Sequence, residues 1–94
     1  MKDENGATAT PNARTDLAEE WIGQEVFLYD HENGDEVYVL NSGAALIWLL
    51  CDGLHDVEGI AGELAEEFEL PKVKLIGEVR ETLQQFETLK LVEA

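Results

Sequence analysis

Cys51, His31, His55 and Ser42 are the side chains in this 94-residue chain whose chemistry would suit covalent catalysis, metal binding or carriage of a group. A nucleophilic cysteine needs a base and electropositive surroundings to become a thiolate. The charged neighbours of Cys51 are Asp52 and Asp56, which oppose that ionisation, and a turn separates it from His55. It reads as a core or helix-end cysteine. A metal site needs three or four converging ligands, and neither histidine stands in an HExxH or CxxC spacing. Ser42 is the only serine. A small, acidic, helical chain with a serine at a helix start has the profile of an acyl or peptidyl carrier, whose serine holds a phosphopantetheine arm. Carriers present Asp-Ser-Leu after a loop, however, whereas Leu40-Asn41-Ser42-Gly43 follows a strand directly. A helix cap is the better reading. The glycines are scattered singly, so no phosphate-cradling loop exists. No catalytic residue, cofactor or metal is nominated.

The elements that would hold these residues are a hairpin and three helices. "EVFLYD" (Glu25 to Asp30) and "EVYVLN" (Glu36 to Asn41) are rich in β-branched and aromatic residues, and the Asn-Gly pair of "HENGD" between them signals a turn. Neither strand alternates cleanly, which gives a small sheet with two apolar faces, each needing its own helices or a partner to cover it. "DLAEEWIGQ" before the hairpin suits either a short strand or a helical turn. The first helix runs from about Ser42 to Cys51, with Asn41 or Ser42 as cap and Asp52-Gly53 as stop. The second starts at Asp56 and lines up Val57, Ile60, Ala61, Leu64, Ala65 and Phe68, with its glutamates turned outward. Leu70-Pro71 closes it. The third runs from about Lys72 to Thr88, and Leu75, Ile76, Val79, Leu83 and Phe86 share one arc. "LKLVEA" ends as a short strand or a frayed tail. The expected fold is α+β: a small winged-helix-like domain with an amino-terminal antiparallel hairpin or three-stranded sheet, then three helices.

Composition sets the limits. Residues 1–14 carry one Met and no other large apolar side chain, so they read as a flexible tail, with the domain over 15–94. Acidic residues outnumber basic ones 21 to 6, for a formal net charge of −15. Such a chain is repelled by phosphates and by anionic membranes, which excludes nucleic acid and membrane as partners. No Lys or Arg occurs between Thr15 and Pro71, while Lys72, Lys74, Arg80 and Lys90 cluster in the last segment. One cysteine excludes an internal disulfide and suits a cytoplasmic location. No signal segment is seen, and "AALIWLLC" is too short to span a bilayer.

The run Tyr38-Val39-Leu40-Asn41, then Ala44-Ala45-Leu46-Ile47-Trp48, then Asp52-Gly53, then Asp56-Val57-Glu58-Gly59-Ile60-Ala61-Gly62-Glu63-Leu64 resembles the PqqD-like family. These are peptide-recognition domains of pathways that modify ribosomally made peptides. The likeness covers about Glu25 to Val92. Gly43 and Asp56 stand where threonines are common, both at turn or cap positions. The resemblance implies a domain without catalytic activity that binds the leader of a precursor peptide as an added strand. It then presents that peptide to a modifying enzyme, commonly a radical S-adenosylmethionine enzyme. Carried over, the binding edge is Val37, Tyr38, Val39 and Leu40, and the helix from Val73 to Phe86 forms the opposite wall. Val39, Leu75, Val79 and Phe86 are candidate pocket residues, although the same positions suit the core. Lys72, Lys74 and Arg80 are candidates to meet acidic leader side chains. An open edge also permits strand-paired copies, so a monomer or weak dimer is expected. A winged-helix DNA binder, the rival on fold, fails on charge, because the second helix carries several Glu and no Lys or Arg. A winged-helix protein-interaction module and the carrier with Ser42 as attachment site remain the alternatives.

Overall fold

Burial alternates along the central strand, and that alternation sets which way the sheet faces. A computed structural model describes residues 10–93. Its elements are β1 (Asn12–Ala13), β2 (Ala18–Ile22), β3 (Glu25–Asp30), β4 (Glu36–Leu40), α1 (Ser42–Leu49), α2 (Val57–Phe68), α3 (Lys72–Thr88) and β5 (Val92–Glu93). The fold is α+β, as the pattern predicts. On β3 the residues Val26, Leu28 and Asp30 are buried, while Phe27 and Tyr29 between them are only partly so. Val26, Leu28 and, from β4, Tyr38 and Leu40 therefore turn toward the helices, since residues two apart share a face. The helices cover that one face. On the other, Phe27 stands across from Val39 and Tyr29 across from Val37, and both valines are half-exposed.

β2, β3 and β4 form one antiparallel sheet in that order. "DLAEEWIGQ" thus resolves as a strand, joined to β3 by the two-residue turn Gly23-Gln24, with Gly23 at φ 64 as such a turn requires. The β3–β4 connection departs from the Asn-Gly expectation. His31–Asn33 form a 3-10 turn, and the positive φ angles fall on Gly34 and Asp35, at 79 and 59. Asn33 is freed to donate from its side chain to Asp30, at 2.7 Å.

The helices begin where their caps stand. Asn41 Oδ1 accepts from the Ala44 N–H at 2.9 Å, so Asn41 is the cap and Ser42 the first helical residue. Asp56 Oδ1 accepts from Gly59 N–H at 2.7 Å. α2 ends on Glu69 at φ 54, before Leu70-Pro71. α1 is apolar around most of its circumference because it lies between the sheet and α3; Trp48 meets Phe86 edge to face, with ring centroids 5.8 Å apart.

One expectation fails at the amino end. Residues 10–14, read as tail, are part of the folded unit, whereas 1–9 lie outside the described residues. β1 pairs with β5, the Ala13 N–H donates to Cys51 O, Arg14 N–H to Leu91 O, and Gly53 N–H to the Pro11 carbonyl. Composition missed this because the attachment is made by backbone hydrogen bonds and by the polar Arg14 side chain rather than by large apolar residues.

Candidate functional site

The register of the sheet fixes which backbone groups of β4 are free. The tight turn makes Ile22 and Glu25 a pair that exchanges both hydrogen bonds. Such pairs alternate along an antiparallel ladder, so Glu25, Phe27 and Tyr29 bond to β2 while Val26, Leu28 and Asp30 bond to β4. Their partners Leu40, Tyr38 and Glu36 spend their backbone groups on β3. The N–H and C=O of Val37 and Val39 therefore point out of the sheet, and β4 has no neighbour on that side among the described strands.

The two outer strands are not equivalent. β2 carries Glu19 and Glu20 in its middle, charges of the kind that discourage edge pairing. β4 carries Glu36 only at its start, and Val37 to Leu40 are uncharged. The unguarded edge is β4.

Where β4 passes into α1, a cleft of about 800 Å³ opens. Its walls are the β2–β3 turn with Trp21, the segment Asn41–Ile47, the end of α2 with Leu64, Glu67 and Phe68, and one side of α3 with Leu75, Glu78, Val79, Thr82 and Gln85. Val79 and Leu64 are buried and floor it, while Phe68 stands 49% exposed at its wall. The charged residues that line it are Glu67 and Glu78.

The structure divides the predicted residues into groups. Leu75 and Val79 line the cleft. Val37 and Val39 offer backbone at the open edge, but their side chains lie on the exposed sheet face; Tyr38 and Leu40 turn toward the core. Phe86 is 2% exposed, packed against Trp48, and so is core rather than pocket. Lys72, Lys74 and Arg80 do not line the cleft. At 100° per residue Arg80 lies about 160° around α3 from Thr82, on the other side of the helix. The cleft residues missed in sequence had a legible signal on α3, where Leu75, Glu78, Val79 and Thr82 share a face at spacings of three and four. Trp21 and Phe68 come from separate elements that only the fold brings together.

The residues weighed for chemistry sit elsewhere. Cys51 is buried and its Sγ–H donates to Ile47 O at 3.2 Å; desolvation, with Asp52 adding to it, pushes its thiol up to about 12. His55 Nδ1 lies 3.0 Å from Asp52, whose hydrogen bond raises the imidazole above its ordinary value, and Nε2 lies 3.7 Å from Glu63. His31 pairs with Asp35 at 2.9 Å. Among the described residues no group of three or more His, Cys, Asp or Glu could hold a metal ion. No described helix is long and apolar enough to cross a membrane. Ser42 lines the cleft at the first turn of α1.

Among solved structures, the chain is similar to one described as TbiB1 in complex with the TbiA(beta) leader peptide, with a TM-score of 0.75 and 18% identity. The match covers 88% of this chain and 95% of that chain, and at that identity it is a likeness of fold. A search of curated proteins returns no match. The family model described as coenzyme PQQ synthesis protein D (PqqD) matches residues 25–92, which run from the first residue of β3 to the first of β5 and include the open edge and three of the four walls of the cleft. The chain belongs to the PqqD family.

Proposed function

We propose that this protein is a non-catalytic binding partner for the leader of a ribosomally made precursor peptide. The leader adds as a strand to the open edge of β4 and continues into the cleft beside α3. The bound peptide is then presented to a modifying enzyme, for which a radical S-adenosylmethionine enzyme is the first candidate. One observation carries the reading: the outward backbone groups of Val37 and Val39 lie on the unguarded edge, and the cleft opens at Asn41, directly after that strand. The neighbour of known structure, described with a leader peptide bound, lends it support.

Magnitudes show why both parts are needed. Edge hydrogen bonds from two residues, at about 1 kcal/mol net each, amount to about 4 kcal/mol, which is only millimolar affinity before the peptide's ordering cost. An apolar side chain buried in the cleft adds roughly 1.5–3 kcal/mol. Two such anchors bring the complex to a useful strength. Sequence discrimination must also come from the cleft, because strand addition reads backbone.

The test is an amide NMR titration with the leader half of a precursor peptide encoded beside the gene. Shifts at Val37, Val39 and the cleft-lining side of α3 are expected. Shifts centred on β2, or none with any neighbouring precursor, would overturn the reading.

A further inference from the structure

The cleft has an apolar floor and an acidic rim. Glu67 and Glu78, from α2 and α3, are its charged residues, both exposed. Neither is in an ion pair among the described residues. No described cation is paired with it. Lys72 lies against Gly62, with Cε 3.8 Å from where a side chain there would begin, and Gly62 is about 140° around α2 from Glu67. Lys74, one turn before Glu78, forms no ion pair with it among the described residues and does not line the cleft. The first turn of α1 contributes an opposing partial charge, but Asn41 already takes the Ala44 N–H, and a helix of eight residues supplies less than two full carboxylates.

We infer that the leader segment lodged in this cleft pairs an apolar anchor with an adjacent lysine or arginine. The anchor sits against Phe68 and Leu75, and the cation faces Glu67 and Glu78. The chain thus selects a basic-apolar leader motif, the reverse of the acidic motif that Lys72, Lys74 and Arg80 would have selected. The inference rests on the peptide-binding reading above and specifies its substrate class.

The test is selection of a displayed library of random peptides, about ten residues long, against the full chain. It is repeated with the double variant Glu67→Gln/Glu78→Gln, with Val39→Pro and with Phe68→Ala. A consensus of Leu, Ile or Phe beside Lys or Arg is expected. The basic preference should vanish in the double variant, with affinity for a selected peptide falling up to about fivefold for each carboxylate removed, as for exposed ion pairs. An acidic or neutral consensus that still requires Val39 and Phe68 overturns the inference and leaves the peptide-binding reading standing. A consensus indifferent to both Val39→Pro and Phe68→Ala, or no consensus at all, overturns that reading as well. Phe68 is exposed, so its variant keeps the comparison valid if the proline substitution fails to fold.

Discussion

Arg14 donates to both carboxylate oxygens of Asp30, at 2.9 and 3.3 Å, across a sequence separation of 16. The same guanidinium reaches Asp16 at 2.7 and 2.9 Å and the Lys90 carbonyl at 3.0 Å. One side chain thus ties the amino-terminal strand, the end of β3 and the turn that leads from α3 into β5. Asp30 is 2% exposed, and a buried carboxylate is tolerable only when partnered in this way. Asn33, in the hairpin loop, supplies its third contact.

Asp30 therefore makes stability depend on pH. The Asn33 hydrogen bond, and after it the Arg14 hydrogen bonds, hold its pKa below the ordinary 3.8. A carboxyl lowered in the folded state contributes stability that is fully present above its unfolded pKa and is lost as pH falls through the folded value. Asp30→Asn should leave a protein less stable at pH 7, with a shallower loss of stability below about pH 4. Urea unfolding at pH 7 and near pH 3 measures both. Equal acid sensitivity in the variant and the parent would assign the acid transition to other carboxylates, Asp16 and Asp52 first, since both are also lowered by hydrogen bonds to basic partners.

Two proline substitutions on adjacent residues should separate function from fold. The Val39 N–H points out of the sheet, so Val39→Pro removes a donor from the free edge and should weaken leader binding about fivefold or more while the hairpin stays paired. The Tyr38 N–H is bonded to β3, so Tyr38→Pro should destabilise the domain by about 1 kcal/mol or more through the lost ladder bond. Thermal melts and peptide titrations of the pair give the answer. Greater destabilisation by Val39→Pro than by Tyr38→Pro would reverse the assignment of the edge.

Local signals carried most of the fold. Asn41 and Asp56 at their caps, the stripe from Val57 to Phe68 and the arc from Leu75 to Phe86 each write an element within a few residues of sequence. Arg14 was illegible because its partners, Asp30 and Lys90, are far away along the chain. The open edge was only half legible: the sequence marks β4 as a strand, but the direction of its N–H groups follows from the turn at Gly23-Gln24, on a different strand. The charges that line the cleft were illegible for a related reason. Lys72, Lys74 and Arg80 share α3 with Leu75 and Val79, yet the rotation of the helix turns a different set of side chains to the cleft, and Glu67 arrives from α2.

Phe86 and Phe68 provide a contrast between core and site. Phe86 is fully packed beneath Trp48, so Phe86→Ala should cost about 3–5 kcal/mol of stability. Phe68 is half-exposed at the cleft wall, so Phe68→Ala should shift stability by no more than about 0.5 kcal/mol. The same change should weaken leader binding about tenfold, the worth of one apolar side chain partly buried against peptide. Denaturant midpoints and binding isotherms of the two variants are the measurement. A Phe68→Ala protein that binds as tightly as its parent would remove the α2 end from the site.

Cys51 offers a probe of the whole domain. Its thiol is buried, donates to Ile47 O and has its pKa pushed up to about 12, first by desolvation and then by Asp52. At pH 8 only about one native molecule in 10⁴ would carry the thiolate, the form that attacks a disulfide reagent. Labelling by an aromatic disulfide should therefore proceed through opening of the fold, at a rate set by the open fraction when reclosing outpaces reaction. A bound leader peptide stabilises the closed state by mass action, so saturating peptide should slow labelling by the factor 1 + [L]/Kd if opening is global. Labelling that is slowed to that extent makes Cys51 a reporter of peptide affinity that needs no tag. Rapid labelling of the native protein, unaffected by mild denaturant, would instead mean that the end of α1 opens by itself, and the thiol would then have to be weighed again as a reactive group.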